Sequence, residues 1–377
     1  MDGIPRTGLA AVETIDGTGV RLRRFREADA DDVAVACSDP LSQRYVLSLP
    51  SPYTRDDALY WITRGGPAEF DNGGAAFAIA DPESDRILGA TGVGATHPNR
   101  GEIGYWVAPW ARARGVATAA CVALTEAAFA TGFVRLRLLT DPVNGPSQRV
   151  AIAAGYWREG LLREGATDRD GRRWDMIQWA RLAGDPPGPS RRALPDVPRA
   201  GLTDGVVALR PLQAVDADDM YALRALPDVV ATSVPPRQLE PAEVARSCAI
   251  AESNWLAGAR AQFTVRDAAR GRHAGAIGLH YTEPEVDQAM IGYCMMPAWR
   301  RRGYATRAVR LLAGWAFDRV GVARLVAGAA PDNVGSHKVL IAAGFSQEGY
   351  QRARQPGADG TRVDNLIFAL LADEVKT

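Results

Sequence analysis

Along Val20-Arg-Leu-Arg-Arg-Phe25, apolar and basic side chains alternate with period two, the pattern of a strand with one face buried. The residues before it, 1 to about 18, are polar and glycine-rich and predict a loose tail. Asp29 to Ser38 suits a helix. Thr54, with Asp57 three residues on, forms a capping box that opens a second helix through Trp61. Strands follow at Ala75 to Ala80, Arg86 to Gly94 and Glu102 to Val107, then an alanine-rich helix from Val116 to Thr131 that Gly132 closes. Val134-Arg-Leu-Arg-Leu138 is a clean alternating strand. Asn144-Gly-Pro-Ser147 starts a short helix ending at Gly155, and two last strands, through Trp157 and from Arg172 to Leu182, turn about Asp170-Gly171.

The same series then restarts. Val207 to Leu212 is a strand, Asp216 to Leu226 and Pro241 to Leu256 are helices, and Phe263 to Val265 and Ala274 to His280 match the earlier strand pair. Tyr304 to Val320 repeats the long helix, Asn333-Val-Gly-Ser336 repeats Asn144-Gly-Pro-Ser147, and Asp359-Gly360 repeats Asp170-Gly171. Arg112 and Arg300 lie 300 − 112 = 188 residues apart, and Asn144 and Asn333 lie 333 − 144 = 189 apart. A drift of one residue over the whole core marks two copies of one fold, an α/β (α+β) mixed-sheet domain at residues 1–183 and again at 206–377. Between them, residues 184–205 carry Pro186, Pro187, Pro189, Pro195 and Pro198 with little apolar content and predict a stiff linker.

At 377 residues the chain is long enough for each copy to bury a core of its own. Its formal charge of zero argues against a general nucleic-acid or membrane surface as partner. Lys338 and Lys376 are the two lysines, so the basic set is nearly all arginine, which with abundant Ala, Gly and Pro reflects GC-rich coding more than phosphate chemistry. Cys37, Cys121, Cys248 and Cys294 are far apart, without a Cys-x-x-Cys pair or a nearby histidine, so free thiols and no metal site are expected. Neither a leader-like start at Met1 to Thr7 nor a twenty-residue apolar span is present, which makes a cytoplasmic protein the default. No pattern in the chain decides its oligomeric state.

The chemistry gathers where the central strand meets the long helix. Pro109-Trp-Ala-Arg-Ala-Arg-Gly-Val-Ala-Thr118 and Pro297-Ala-Trp-Arg-Arg-Arg-Gly-Tyr-Ala-Thr306 both read Arg-x-x-Gly-x-Ala. The first N–H groups of a helix have no intrahelical partner and sit at the positive end of its dipole, so such a loop suits a pyrophosphate. Glycine at Gly115 and Gly303 lets the backbone come close to that anion. Preceding each loop is a near-identical strand, Ile103-Gly-Tyr-Trp-Val107 or Ile291-Gly-Tyr-Cys-Met295. In these residues the chain resembles the GNAT acetyltransferase superfamily, with the Gly-Tyr doublet similar to its RimJ/RimL branch.

That resemblance covers nearly all of both halves and implies two tandem GNAT-fold domains whose sheets splay after the fourth strand. It implies acetyl-CoA as cofactor, with pantetheine on the backbone of Tyr105, Trp106 and Val107, or of Tyr293, Cys294 and Met295. The pyrophosphate would lie on Arg112, Ala113, Arg114, Gly115, Val116, Ala117 and Thr118, or on Arg300, Arg301, Arg302, Gly303, Tyr304, Ala305 and Thr306. Asn144 and Asn333 match the family asparagine that contacts the pantetheine arm, and capping of the following helix is the alternative reading.

Moving an acetyl group to an amine requires a base for the amine proton, donors for the oxyanion and a proton for the leaving thiolate. Glu102 is the candidate base, with Met290 at the matching position of the second copy; a bridge to a strand arginine is the other reading of Glu102. The positions seven residues after the asparagines, where many members carry a tyrosine acid, hold Ala151 and Leu340. Ser147, Ser336, another tyrosine or solvent must then supply the proton. His280 is either a rim residue or a base, Cys294 a buried thiol or an acyl carrier, and Trp106, Trp110 and Trp299 either structural or lining a substrate mouth. Asp175 and Asp364, matched between copies, either hold an ammonium or pin the last strand. The expected function is acetyl-CoA-dependent N-acetylation of a small-molecule primary amine. A protein N-terminal or lysine acetyltransferase acting on a peptide amine is the alternative, as is a second domain retained as a scaffold or acyl-CoA sensor.

Overall fold

The computed structural model describes residues 8–357 and 360–374. The chain divides into two compact units, the first up to Arg191 and the second from Arg192.

The first unit contains β1 (Thr14–Gly17), β2 (Val20–Arg23), α1 (Ala30–Ser38), α2 (Pro40–Tyr45), α3 (Arg55–Tyr60), α4 (Gly66–Asp71), β3 (Ala75–Ala80), β4 (Ile87–His97), β5 (Arg100–Val107), α5 (Val116–Ala130), β6 (Arg135–Thr140), α6 (Gly145–Ala153), β7 (Trp157–Thr167) and β8 (Arg173–Leu182). The second contains β9 (Leu202–Thr203), β10 (Val207–Pro211), α7 (Ala217–Arg224), α8 (Pro227–Ala231), α9 (Pro241–Ala249), α10 (Ala251–Leu256), β11 (Arg260–Asp267), β12 (His273–Glu283), β13 (Gln288–Met295), α11 (Tyr304–Trp315), β14 (Arg324–Ala329), α12 (Val334–Ala342), β15 (Ser346–Pro356) and β16 (Arg362–Leu371).

Each unit holds an eight-stranded mixed sheet, in the order β1-β2-β3-β4-β5-β6-β8-β7 and, in the second, β15-β16-β14-β13-β12-β11-β10-β9. All neighbours are antiparallel except β5 with β6 and β13 with β14. Those two parallel joints are short. β5 and β6 pair only from Arg100 to Glu102, and β13 and β14 only from Gln288 to Met290, after which the strands part. Counted from Val20 the splay follows the fourth strand; β1 makes it the fifth.

Alternation along β5 and β13 sorts their side chains onto two faces. Ile103 and Ile291 are buried on the face covered by the long helices α5 and α11. On the opposite face, Trp106 packs against α1 and α3, and Cys294 packs against α7 and α9. Small residues at Ala120, Ala123 and Ala128 bring α5 close to its sheet, which holds the loop at its N-terminus firmly in place. A buried ion pair closes the first unit's helical face: Arg23 donates to both oxygens of Asp29 at 2.8 and 2.9 Å, and to Asp85 at 2.8 Å. In the second unit the arginine comes from the neighbouring strand, Arg266 to Asp216 at 2.6 Å.

Several expectations need correction. Residues 8–17 are no loose tail: Leu9 is fully buried, and β1 pairs with β2 around Gly19, whose φ of +70° suits glycine. The helix opened by the Thr54–Asp57 capping box does not stop at Trp61 but runs on through a wide turn, Trp61–Gly65, into α4. The buried side chains Ile62 and Phe70 hold that continuation against the glycines' low helix propensity. Pro241 to Leu256 is two helices meeting at Ile250. Within the proline-rich stretch Ser190 bonds to Ile152 and Tyr156, while Leu194 is fully buried in the second core. Of the second turn pair, Asp359 lies outside the described residues.

Candidate functional site

In each unit the loop between the central strand and the long helix winds through a short helical turn, Pro109–Ala111 or Pro297–Trp299. Ala113 and Gly115 then take φ of +57° and +78°, and Arg301 and Gly303 take +58° and +77°. Left-handed residues alternating with ordinary ones turn successive N–H groups towards one concave side, an anion-binding nest. For Ala113 and Arg301 that conformation costs roughly 1 kcal/mol or more, yet both copies keep it. A Cβ placed on Gly115 or Gly303 would meet nothing within 4 Å, so the space before the helix is open.

The loop arginines divide into two roles. Arg112 is turned inward: its Nε donates to the Val107 carbonyl at 3.2 Å, and Nη2 bonds to Ser42 Oγ at 3.2 Å and to Asp39. The bond from Arg112 holds the Asp39 carboxyl below its ordinary range. Arg300 repeats this, donating to the Met295 carbonyl at 3.0 Å and pairing with Asp228 at 2.6 Å. These two guanidinium groups, expected on the pyrophosphate, clamp the root of the loop to the end of the strand. Arg114, Arg301 and Arg302 are the exposed cations on the loops.

Across the splay, Tyr105 Oη lies 2.9 Å from Ser147 Oγ, and Tyr293 Oη lies 2.8 Å from Ser336 Oγ. Each pair joins the central strand to the helix beyond the opening. Burial pushes the Tyr105 hydroxyl well above the usual tyrosine value and Tyr293 to about 12, so both remain protonated donors. A tyrosine hydroxyl does reach the splay, but from β5 and not from the position seven residues after Asn144. The signal available was the Gly-Tyr doublet recurring in both copies at nearly the same distance from the recurring serine.

Asn144 Oδ1 accepts from the Ser147 backbone N–H at 3.2 Å, and Asn333 Oδ1 from Ser336 at 3.1 Å, so both are N-caps whatever else they touch. Asn144→Ala is expected to cost about 1 kcal/mol, read as a lower denaturation midpoint; an unchanged midpoint would remove the cap from the account.

Glu102 is half-buried at the point where β5 and β6 part, and Arg137 Nε donates to its carboxylate at 2.7 Å. At the matching register in the second unit stand Met290 and Val326, so the ion pair becomes an apolar pair. Asp175 and Asp364 accept backbone N–H bonds from Glu164 at 3.0 Å and Ala353 at 2.7 Å, residues whose φ is +52° in both cases. They pin a kink in β7 and β15. Trp110 donates to the Ile87 carbonyl at 3.1 Å, and Trp299 packs on Tyr304 at 4.8 Å, so both stabilise the loop root. The four cysteines are free thiols, and burial raises that of Cys294, which argues against an acyl carrier.

The site geometry fits a thioester cofactor carrying a pyrophosphate: an open nest at a helix N-terminus, and a strand edge without a strand partner from Ile103 to Val107. No group of three or more potential metal ligands occurs, and no helix is long and apolar enough to cross a membrane, among the described residues.

The sequence profile described as "Acetyltransferase (GNAT) domain" matches this chain twice, at residues 20–156 and 207–346. Uncharacterized N-acetyltransferase YoaA of Bacillus subtilis (strain 168) is 29% identical over 97 residues, 26% of this chain; the chain spans about half of that relative's length, 54%. Uncharacterized N-acetyltransferase p20 of Bacillus licheniformis is 26% identical over 156 residues, 41% of this chain and 87% of its own. Among solved structures, Mycobacterium smegmatis RimJ in complex with CoA-disulfide is 23% identical with a TM-score of 0.44, covering 50% of this chain and 92% of that one. Spermidine N-acetyltransferase from Vibrio cholerae in complex with CoA and spermine is 16% identical with a TM-score of 0.41, covering 45% and 98%.

Proposed function

This chain belongs to the GNAT acetyltransferase family, and from that premise we propose that it acetylates a primary amine of a small molecule, with the first domain as the working half. The observation that carries the assignment to the first domain is Glu102, a carboxylate where the strands part, against Met290 in the second.

Acetyl-CoA, the donor used by the family, supplies an activated thioester acetyl group when bound. Ala113 to Thr118 would hold its pyrophosphate on backbone N–H groups, assisted by Arg114, while Tyr105, Trp106 and Val107 offer the unpaired strand edge to its pantetheine arm. The Arg112 clamp keeps that edge and the nest in one rigid piece. Glu102 accepts the proton of the attacking amine, directly or through water, and Arg137 orients the carboxylate. Tyr105 Oη and Ser147 Oγ share a hydrogen bond that either hydroxyl can donate, and the buried tyrosine stays protonated, so the pair holds a proton available on the splay side. Asn144 fixes Ser147 through the cap.

The test is Glu102→Gln, assayed by acetyl-CoA consumption with a library of small amines. Turnover should fall about 100- to 10,000-fold, the range for losing a positioned base. Folding stability should move by less than about 1 kcal/mol, since the pair with Arg137 is half-exposed. Undiminished turnover would remove Glu102 from the mechanism. Acetylation of peptides in place of every small amine would favour the protein acetyltransferase reading.

A further inference from the structure

The sheet face below α7 and α9 differs in chemistry from its counterpart in the first unit. Arg260, His280 and Met290 are lateral neighbours across β11, β12 and β13, and Gln262, Gly278 and Gly292 form the next row on the same face. The first unit's register places Gly94 where His280 stands, Glu102 where Met290 stands and Ala76 where Gln262 stands. The duplicated face has lost its carboxylate and gained a cation, a histidine and an amide.

These added groups have no partner among the described residues. Arg260 and Arg224, at the end of α7, are only partly exposed and neither has a carboxylate within ion-pair distance. Their charges instead act on each other: burial first, then the field of Arg224, lowers the Arg260 guanidinium from its ordinary value. Burial and Arg260 push His280 down to about 4, so it is neutral near neutral pH and can donate one hydrogen bond. Gln262 is 8% exposed, and its Oε1 is buried without a hydrogen-bond partner. A Cβ on Gly292 would meet nothing within 4 Å, so the floor between these side chains is open. A half-buried pair of like charges and an unsatisfied buried amide are costly unless something completes them.

We propose that Arg224, Arg260, Gln262 and His280 form a site for the carboxylate or phosphate group of a small-molecule anion. The two arginines supply charge and donors to the anion, the His280 ring supplies a further donor, Gln262 Oε1 would accept from an N–H or O–H of the same ligand, and Met290 gives the rest of the ligand an apolar neighbour. The duplication then leaves one half suited to amines and the other to acidic molecules. This site depends on neither domain turning over.

The experiment is calorimetric titration of the full chain, with its phosphate-binding loops first filled by CoA, using inorganic phosphate, glutarate and the uncharged glutaramide. One site per chain for phosphate or glutarate, and none for glutaramide, is expected; the tighter of the two anions identifies the group recognised. Arg260→Gln should weaken that binding about tenfold or more, as for loss of a charge-assisted bond, while Arg260→Lys keeps most of it. No millimolar binding by either anion, or binding unchanged in Arg260→Gln, would overturn the site. If CoA itself fails to bind, the acetyl-CoA reading fails separately, and the Arg260 comparison still decides this one.

Discussion

Titrating acetyl-CoA into the intact chain is expected to count two sites, and into Gly115→Trp or Gly303→Trp only one. Both glycines sit at φ near +78° with open space before them, so an indole there projects into the nest while the Cβ strains the loop. Affinity at the altered loop should fall by more than about 100-fold, some 2.7 kcal/mol. The other site should keep its affinity, because each nest belongs to its own unit. A single site in the intact chain, lost only in Gly115→Trp, would make the second domain a structural partner. No binding at all would sink the acetyltransferase reading.

Ser147→Ala should lower kcat about 100-fold with little change in the KM of the amine, the signature of a group that acts only in the transition state. Tyr105→Phe should reproduce a large part of that loss, since it removes one of the two hydroxyls that form the hydrogen-bonded pair. The double variant should lose little beyond Ser147→Ala, because the two hydroxyls act as one unit. Steady-state assays of thiol release measure all three. Additive losses would mean that the tyrosine works independently of the serine, and an unchanged kcat in Ser147→Ala would assign the leaving-group proton to solvent. Ser336→Ala, in the second domain, should leave turnover with the amine unaffected if the first domain is the working half.

The chain's local patterns carried much of the fold. A short apolar run ending at an Asp/Pro/Ser-rich turn marked β3 to its ends at Ala75 and Ala80, the Thr54–Asp57 capping box stood where the residues predicted it, and Asn144 and Asn333 make the caps that were their alternative reading. The repeated Arg-x-x-Gly-x-Ala, after the same strand and before the same helix, was enough to read two nests, because a helix terminus and a glycine turn depend on residues only a few positions apart. Where sequence reasoning failed locally, as at Leu9 and in the run from Trp61 to Asp71, burial against distant residues overrode tail-like composition and helix-breaking glycines.

The partners within the site are another matter. Tyr105 meets Ser147 across 42 residues, Glu102 meets Arg137 across 35, and Arg112 meets Asp39 across 73. Asp175, matched so well to Asp364, spends its carboxylate on a kinked backbone. The row from Arg260 through His280 to Met290 joins three strands in an order the linear spacing does not display. Sequence by itself determined the duplication, most of the elements and the two glycine loops before the long helices, since those follow from periodicity and capping over a turn or two. Which guanidinium stays exposed on the loop and which is turned onto a carboxylate, and which hydroxyls share a hydrogen bond, was decided only by the tertiary structure, because strand register sets those contacts and local sequence does not.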